Sequence, residues 1–171
     1  PNGQSHGLVM FLDWSGSMIG HLDSTIKQLI NLTMFCKKVN VPFEVYAFTT
    51  EYDDAYVSER IIGDIRTDNF KLMNILSSRM SAAEYSYACS ALVHMSKPSV
   101  RPEWFHLGGT PLQETIMSAM KIVPEFQEKY KLQIVNTVFL TDGDGHSLRE
   151  VYYMMQSNYG GKMIISDTVN S

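Results

Sequence analysis

The sequence predicts an α/β domain built on a doubly wound, mostly parallel sheet with helices on both faces. Short apolar segments alternate with longer segments whose apolar residues recur at helical spacing. The most apolar short segments are GLVMFLD at residues 7–13 and LQIVNTVFLTD at residues 132–142. Neither alternates strictly between apolar and polar residues, as expected for parallel strands buried on both faces. Strands that alternate with helices in this way are typical of Rossmann-like folds.

The first half of the chain is predicted to contain a helix between two strands. Apolar residues keep helical spacing over residues 21–40, and Lys37 and Lys38 lie in the last turn, where cations favour the helix dipole. PFEVYAFTT at residues 42–50 is rich in aromatic and β-branched residues, which predicts the second strand. AYVSERII at residues 55–62 is predicted to pair back as a short antiparallel edge strand.

The middle of the chain is predicted to be helical. Residues 68–96 contain neither proline nor glycine, which favours one long helix or two helices with a break near Ser77 and Ser78. Asp68 or Asn69 is the expected N-cap. The prolines and glycines of residues 97–110 then predict a loop.

The remaining elements follow the same alternation. A helix is predicted from Pro111 to about Tyr130, with Thr110 as its N-cap and with a kink or a break at Pro124. After the strand at residues 132–142, residues 147–158 predict another helix and residues 162–167 another strand.

Length and composition predict a single domain over residues 1–171. The formal net charge of −4 gives no reason to expect nucleic acid or an anionic membrane as a partner. No apolar run approaches the roughly 18 to 20 residues that cross a bilayer. Cys36 and Cys89 fall in apolar helical patterns, so we expect buried free thiols and a cytoplasmic location. Because the chain begins without Met and stops just after a strand, we expect the fold to continue beyond both ends.

Oxygen-bearing side chains follow the ends of the predicted strands. Asp13 ends the first strand and is followed by Ser15 and Ser17, Asp142 ends the strand at residues 132–142, and Thr110 precedes a helix. In an open parallel sheet these positions share one edge, where ligands bind. Hard oxygen donors of this kind suit Mg²⁺, Mn²⁺ or Ca²⁺. A metal site at this edge is therefore one interpretation of the pattern.

Other interpretations stay open at this point. Each hydroxyl could simply cap a helix, and the aspartate could simply belong to a turn. A phosphotransferase of the haloacid dehalogenase type would need a second aspartate two residues after the first. Ser15 occupies that position, and a hydroxyl of ordinary pKa does not serve as the general acid–base at neutral pH.

The segments DWSGS, GGT and FLTDG together resemble the metal-ion-dependent adhesion site (MIDAS) of von Willebrand factor A (VWA) domains. The resemblance covers nearly the whole chain and implies a sheet of strand order 3-2-1-4-5-6. It also implies that Ser15, Ser17 and Thr110 contact the metal directly, with Asp13 and Asp142 often acting through water. A partner protein would supply an Asp or Glu to complete the coordination of Mg²⁺, Mn²⁺ or Ca²⁺.

Within that family, VPFEVYAFTTEYDD looks most like the VWA subunit of CobT-type cobaltochelatases. The resemblance implies an intracellular partner, a MoxR- or CobS-like AAA+ ATPase, and a subunit that is not catalytic alone. We expect Trp14, Met18 and His106 to be exposed at the rim of the site and to set specificity, although Trp14 could instead pack beneath the metal loop. A scaffold whose metal site is not essential is the alternative function.

Overall fold

The computed structural model describes residues 5–51, 69–98 and 101–143, together with the backbone of four short strands within residues 65–66, 149–150, 154–156 and 162–164. The helices and strands are β1 (His6–Asp13), α1 (Leu22–Lys38), β2 (Phe43–Thr50), β3 (Ile65–Arg66), β4 (Phe70–Ser77), α2 (Ala82–Met95), α3 (Leu112–Tyr130), β5 (Ile134–Leu140), β6 (Arg149–Glu150), β7 (Met154–Gln156) and β8 (Lys162–Ile164).

The main sheet has four strands in the order β4-β2-β1-β5. β1 runs parallel to both β2 and β5, whereas β4 runs antiparallel to β2. The carboxyl ends of β1, β2 and β5 therefore lie at one edge of the sheet. The start of β4 lies at the same edge, because Phe70 pairs with Thr50. The α/β class is confirmed, with a sheet that is mixed.

Helices cover both faces of the sheet, and the centre of β1 is apolar at every position. Met10 and Leu12 belong to the core cluster formed with α1 and α2. Val9 and Phe11 point to the opposite face, as alternation along a strand requires, and pack in the cluster that contains Phe126 of α3. This central strand consequently contributes to two cores, which explains its continuous apolar run.

The predicted helix over residues 68–96 is wrong in its first part, because residues 70–77 form β4. The register between β2 and β4 shifts at Val45/Tyr46, where a β-bulge leaves Ile75 without a directly paired residue. Both Ile75 and Leu76 are buried as a result. The bulge breaks strict alternation and gives β4 apolar spacings that resemble those of a helix.

The N-cap of helix α2 is Ser81 rather than Asp68 or Asn69. The Ser81 hydroxyl accepts a hydrogen bond from the backbone N–H of Glu84 at 3.3 Å, and Glu84 Oε2 accepts one from the backbone N–H of Ser81 at 2.8 Å. This reciprocal pair is a capping box. The Ser-Ala-Ala-Glu pattern was therefore the better helix-start signal in this segment.

Helix α3 matches its predicted bounds and continues through Pro124 without a break. Thr110 is not its N-cap, because Pro111 occupies that position and no side chain caps it. The C-cap after Tyr130 is Lys131, which adopts the left-handed conformation at φ 52°. Thr110 is thus not required as a helix cap.

The segment after β5 departs from prediction. Residues 149–150 and 154–156 form strands β6 and β7, so a helix over residues 147–158 is wrong at these positions. A strand is confirmed at β8, which pairs antiparallel with β7, while β6 pairs with β3. The strand predicted at residues 55–62 lies outside the described residues.

The expectation of buried free thiols is confirmed for Cys36 and only partly met by Cys89. Cys36 and Cys89 are both free thiols, with Cys36 buried and Cys89 half-buried. None of the described helices combines the length and apolarity needed to span a membrane.

Candidate metal centre

The candidate site lies at the carboxyl edge of the sheet, around the end of β1. This strand lies between β2 and β5. The helix that follows β1 packs on one face, and the helix that precedes β5 packs on the other. The strand order therefore changes direction at β1, with β2 on one side and β5 on the other, and α/β folds bind ligands at such a position. Asp13 ends β1, and Asp142 lies two residues after β5.

A hydrogen-bonded chain of oxygens connects the two loops at this edge. The hydroxyls of Ser15 and Ser17 are 2.9 Å apart. The Ser17 hydroxyl also donates to Oδ1 of Asp142 at 2.9 Å. Ser15 is buried, whereas Ser17 and Asp142 are exposed. The structure therefore brings together these three predicted residues, although the last lies 125 positions from Ser17 in the sequence.

Asp13 forms the buried end of the site. Its side chain is fully buried, and its Oδ2 accepts a hydrogen bond from the Thr141 hydroxyl at 2.7 Å. Its Oδ1 is also buried, and it has no hydrogen-bond partner among the described residues. Burial raises the pKa of Asp13 above its ordinary value. Hydrogen bonding by Thr141 and by Ser15 opposes this rise, and the negative charge of Asp142 adds to it. One oxygen of a buried carboxylate is thus left for another ligand.

Thr141 is a site residue that the sequence analysis missed. It separates β5 from Asp142, and its hydroxyl fixes the carboxylate of Asp13 on the neighbouring strand. Its position directly before Asp142 in FLTDG was the available signal, since any side chain at a strand end reaches the same sheet edge.

The segment that carries Thr110 is joined to the loop after β1 by backbone pairing at Gly108. We call residues 107–110 the Gly108 loop. The N–H of Gly16 donates to the carbonyl of Gly108 at 2.9 Å, and the N–H of Gly108 donates to the carbonyl of Trp14 at 3.3 Å. These bonds form an isolated parallel bridge between Ser15 and Gly108. Thr110 is buried two residues beyond this bridge.

The end of β2 holds the other side of the Gly108 loop. The hydroxyl of Thr49 accepts from the N–H of Gly108 at 3.0 Å, and the hydroxyl of Thr50 accepts from the N–H of Gly109 at 2.7 Å. The Gly108 loop is therefore held between the loop after β1 and the end of β2.

Two of the three predicted rim residues are buried, so their expected exposure is wrong. Trp14 is inaccessible to solvent, and its indole N–H donates to the carbonyl of Phe105 at 2.8 Å. Met18 is buried in the core cluster of α1 and α2. His106 is half-buried, with Nδ1 hydrogen-bonded to the carbonyl of Glu103. Trp14 thus follows the other expectation, that it packs beneath the loop.

Trp104 is an exposed aromatic residue among those described at this edge, and the sequence analysis missed it. Its side chain is 64% exposed. Lys71, at the start of β4, donates to the Trp104 carbonyl at 2.9 Å and to Glu51 Oε1 at 2.6 Å. A tryptophan in a proline-flanked loop was a visible feature, but its exposure depends on packing that the sequence does not state.

Capping does not account for the serines of the site. Helix α1 has His21 at its N-cap position, with no side-chain cap. The short 3-10 helix at Ser17–Gly20 begins after Gly16, again without a side-chain cap. Ser15 and Ser17 instead bond to each other, and Ser17 donates to Asp142.

The oxygen set fits a hard divalent cation. In octahedral Mg²⁺ coordination with bonds of about 2.1 Å, neighbouring ligand oxygens lie about 3.0 Å apart. The separations of 2.9 Å along Ser15, Ser17 and Asp142 are close to that value. Among the described residues there is no cluster of three or more His, Cys, Asp or Glu that could hold a metal. A metal here would consequently need the hydroxyls as ligands.

Comparisons with known proteins do not assign the chain to a family. The function therefore has to be argued from the geometry of this site. No family model, no curated protein and no solved structure matches the chain significantly.

Proposed function

We propose that this chain is a divalent-metal-dependent protein-interaction module of the VWA type, with a MIDAS formed by Asp13, Ser15, Ser17, Thr110 and Asp142. The observation that supports it most is Oδ1 of Asp13, which is buried without a described partner beside the hydroxyl chain. Leaving a buried carboxylate oxygen without a donor or counter-ion is costly. A cation bound to these side chains would remove that cost.

The donor set favours Mg²⁺, with Mn²⁺ or Ca²⁺ as substitutes. Two carboxylates and three neutral hydroxyls are all oxygen donors, which suit these hard ions and suit zinc poorly. Mg²⁺ retains water wherever the protein supplies no ligand. An Asp or Glu of a partner protein would replace such a water, and the exposed Ser17 and Asp142 leave that side accessible.

The described strand order supports a VWA-type sheet. Counting only the strands of the main sheet along the chain, the order β4-β2-β1-β5 becomes 3-2-1-4. This equals the first four positions of the 3-2-1-4-5-6 order that the resemblance implies.

We further propose a cytoplasmic MoxR- or CobS-like AAA+ ATPase as the partner, in a chelatase-like or remodelling complex. The support is the resemblance of the β2 region, including the FTT ending, to CobT-type subunits. In that complex this chain would bind the ATPase through the metal and would have no catalytic activity alone.

Retention of a purified MoxR- or CobS-like ATPase on the immobilised chain tests this function. We expect retention in Mg²⁺, loss in EDTA and recovery when Mg²⁺ is restored. The substitution Ser17→Ala should abolish retention, because it removes the hydroxyl that connects Ser15 to Asp142.

Ser24→Ala is the matched control. Ser24 is exposed at the start of α1, and its hydroxyl bonds only the carbonyl of His21 among the contacts described. This variant should retain the ATPase as the wild type does. Retention that is indifferent to EDTA and to Ser17→Ala would contradict the metal-dependent interaction.

A further inference from the structure

We propose that Thr49 and Thr50 are positioning residues of the metal site, and that their hydroxyls fix the Gly108 loop so that Thr110 can reach the ion. This inference rests on the proposed function. It assigns a role to the end of β2, which supplies none of the metal ligands proposed above.

The contact is made by two consecutive residues on each side. The Thr49 hydroxyl accepts from Gly108 N–H at 3.0 Å, and the Thr50 hydroxyl accepts from Gly109 N–H at 2.7 Å. Consecutive side chains of a strand point to opposite faces. The two hydroxyls therefore hold the Gly108 loop from both sides of the strand end, directly before Thr110.

The loop lies so close to β2 that only glycine fits at position 108. A Cβ atom on Gly108 would lie 2.2 Å from the Thr50 carbonyl oxygen and 2.7 and 2.8 Å from the Thr49 and Thr50 hydroxyls. The backbone of Gly108 is thus pressed against both threonines. Because the backbone comes this close, the two threonine hydroxyls can accept hydrogen bonds from the amides of the loop. A residue with a larger side chain would keep the two segments apart.

The other side of the loop is held by backbone bonds to Trp14 and Gly16. Those bonds align the Gly108 loop with the loop after β1 that carries Ser15 and Ser17. They join backbone atoms, so they do not depend on side-chain hydroxyls. The threonine hydroxyls add the connection to β2, so the loop is restrained from two strands. A ligand held in place before the ion arrives binds it more tightly, because less ordering remains to be done on binding.

Replacing Thr49 and Thr50 with valine, which has nearly the same shape but no hydroxyl, tests their positioning role. We expect Thr49→Val together with Thr50→Val to weaken Mn²⁺ binding, measured by calorimetry on the whole chain, roughly three- to tenfold. Thr49→Ser together with Thr50→Ser keeps both acceptors and should bind Mn²⁺ as the wild type does. Circular dichroism and the melting temperature without metal establish that each variant is folded.

A double-mutant cycle distinguishes positioning from general destabilisation. Residues that act through a shared partner give non-additive effects. If Thr49 and Thr50 act through Thr110, the two valine substitutions should cause little further loss of Mn²⁺ affinity in a Thr110→Val background. A purely structural role would lower the melting temperature without this dependence on Thr110.

The outcomes separate the inference from the function on which it rests. Mn²⁺ binding by the wild type, loss in the valine variant and non-additivity with Thr110→Val support the inference. Unchanged affinity in the folded valine variant, or losses that add fully to that of Thr110→Val, overturn it and leave the proposed function standing. A wild type that binds no Mn²⁺ overturns both.

Discussion

Replacing Asp13 with asparagine is expected to abolish metal binding while the metal-free chain stays within about 1 kcal/mol of wild-type stability. Asparagine keeps the shape and can still accept from Thr141. It removes a negative charge that is fully buried and only partly hydrogen-bonded. Losing that buried charge offsets the cost of introducing an amide donor at the Oδ1 position.

Thermal unfolding with and without Mg²⁺ measures both halves of this prediction. At a metal concentration of about 100 times the dissociation constant, binding should stabilise the wild type by about 2.7 kcal/mol. For a chain of this size that corresponds to a rise in melting temperature of about 5–11 °C. The Asp13→Asn variant should show no rise.

Asp23→Asn is the matched control for this substitution. Asp23 is an aspartate of α1 whose side chain is half-exposed and bonds Lys27 and Ser96. Exposed ion pairs contribute about 0–1 kcal/mol, so its loss should change stability little and should leave the metal-induced rise intact. A large destabilisation of metal-free Asp13→Asn, with the metal response preserved, would identify Asp13 as a structural residue.

Gly108→Ala is expected to destabilise the chain by about 2–3 kcal/mol and to weaken metal binding at the same time. The added Cβ would lie 2.2 Å from the backbone carbonyl of Thr50, a contact that no side-chain rotation relieves. The Gly108 loop would have to move away from β2. Its bonds to Thr49 and Trp14 would then break, and Thr110 would be displaced.

Gly16→Ala provides the comparison within the same site. Gly16 has ordinary backbone angles, and its nearest neighbour to an added Cβ is the Gly108 carbonyl at 3.9 Å. Chemical denaturation should therefore show near wild-type stability for Gly16→Ala and a clear loss for Gly108→Ala. Equal stability of the two variants would contradict the close packing of the Gly108 loop on β2.

The strands that form the site were predictable because the residue types within each segment are enough to indicate a strand. β1, β2 and β5 consist mostly of apolar or β-branched residues, and each predicted strand end lies within two residues of the observed one. β4 was not predictable in the same way, because the bulge at Ile75 gives it helix-like apolar spacing. Its pairing with β2 is a tertiary property, which local spacing does not contain.

The site residues at the strand ends were predictable from the sequence, whereas the contacts that support them were not. Asp13, Ser15, Ser17 and Asp142 follow strand ends, and the parallel topology brings strand ends together. The sequence left two positions open for Trp14, and the choice between them depends on the packing of Phe105 against the indole. The supporting roles of Thr49, Thr50 and Thr141 depend on distances of a few ångströms between segments remote in the sequence.

The measurement that tests the central claim most directly is a Mn²⁺ titration of the whole chain followed by electron paramagnetic resonance. The signal of free Mn²⁺ reports how much metal remains unbound. We predict one ion per chain in the wild type, competition by Mg²⁺, and loss of binding in both Asp13→Asn and Ser17→Ala. A wild type that leaves all Mn²⁺ free, or variants that bind it as the wild type does, would contradict a metal centre at this edge of the sheet.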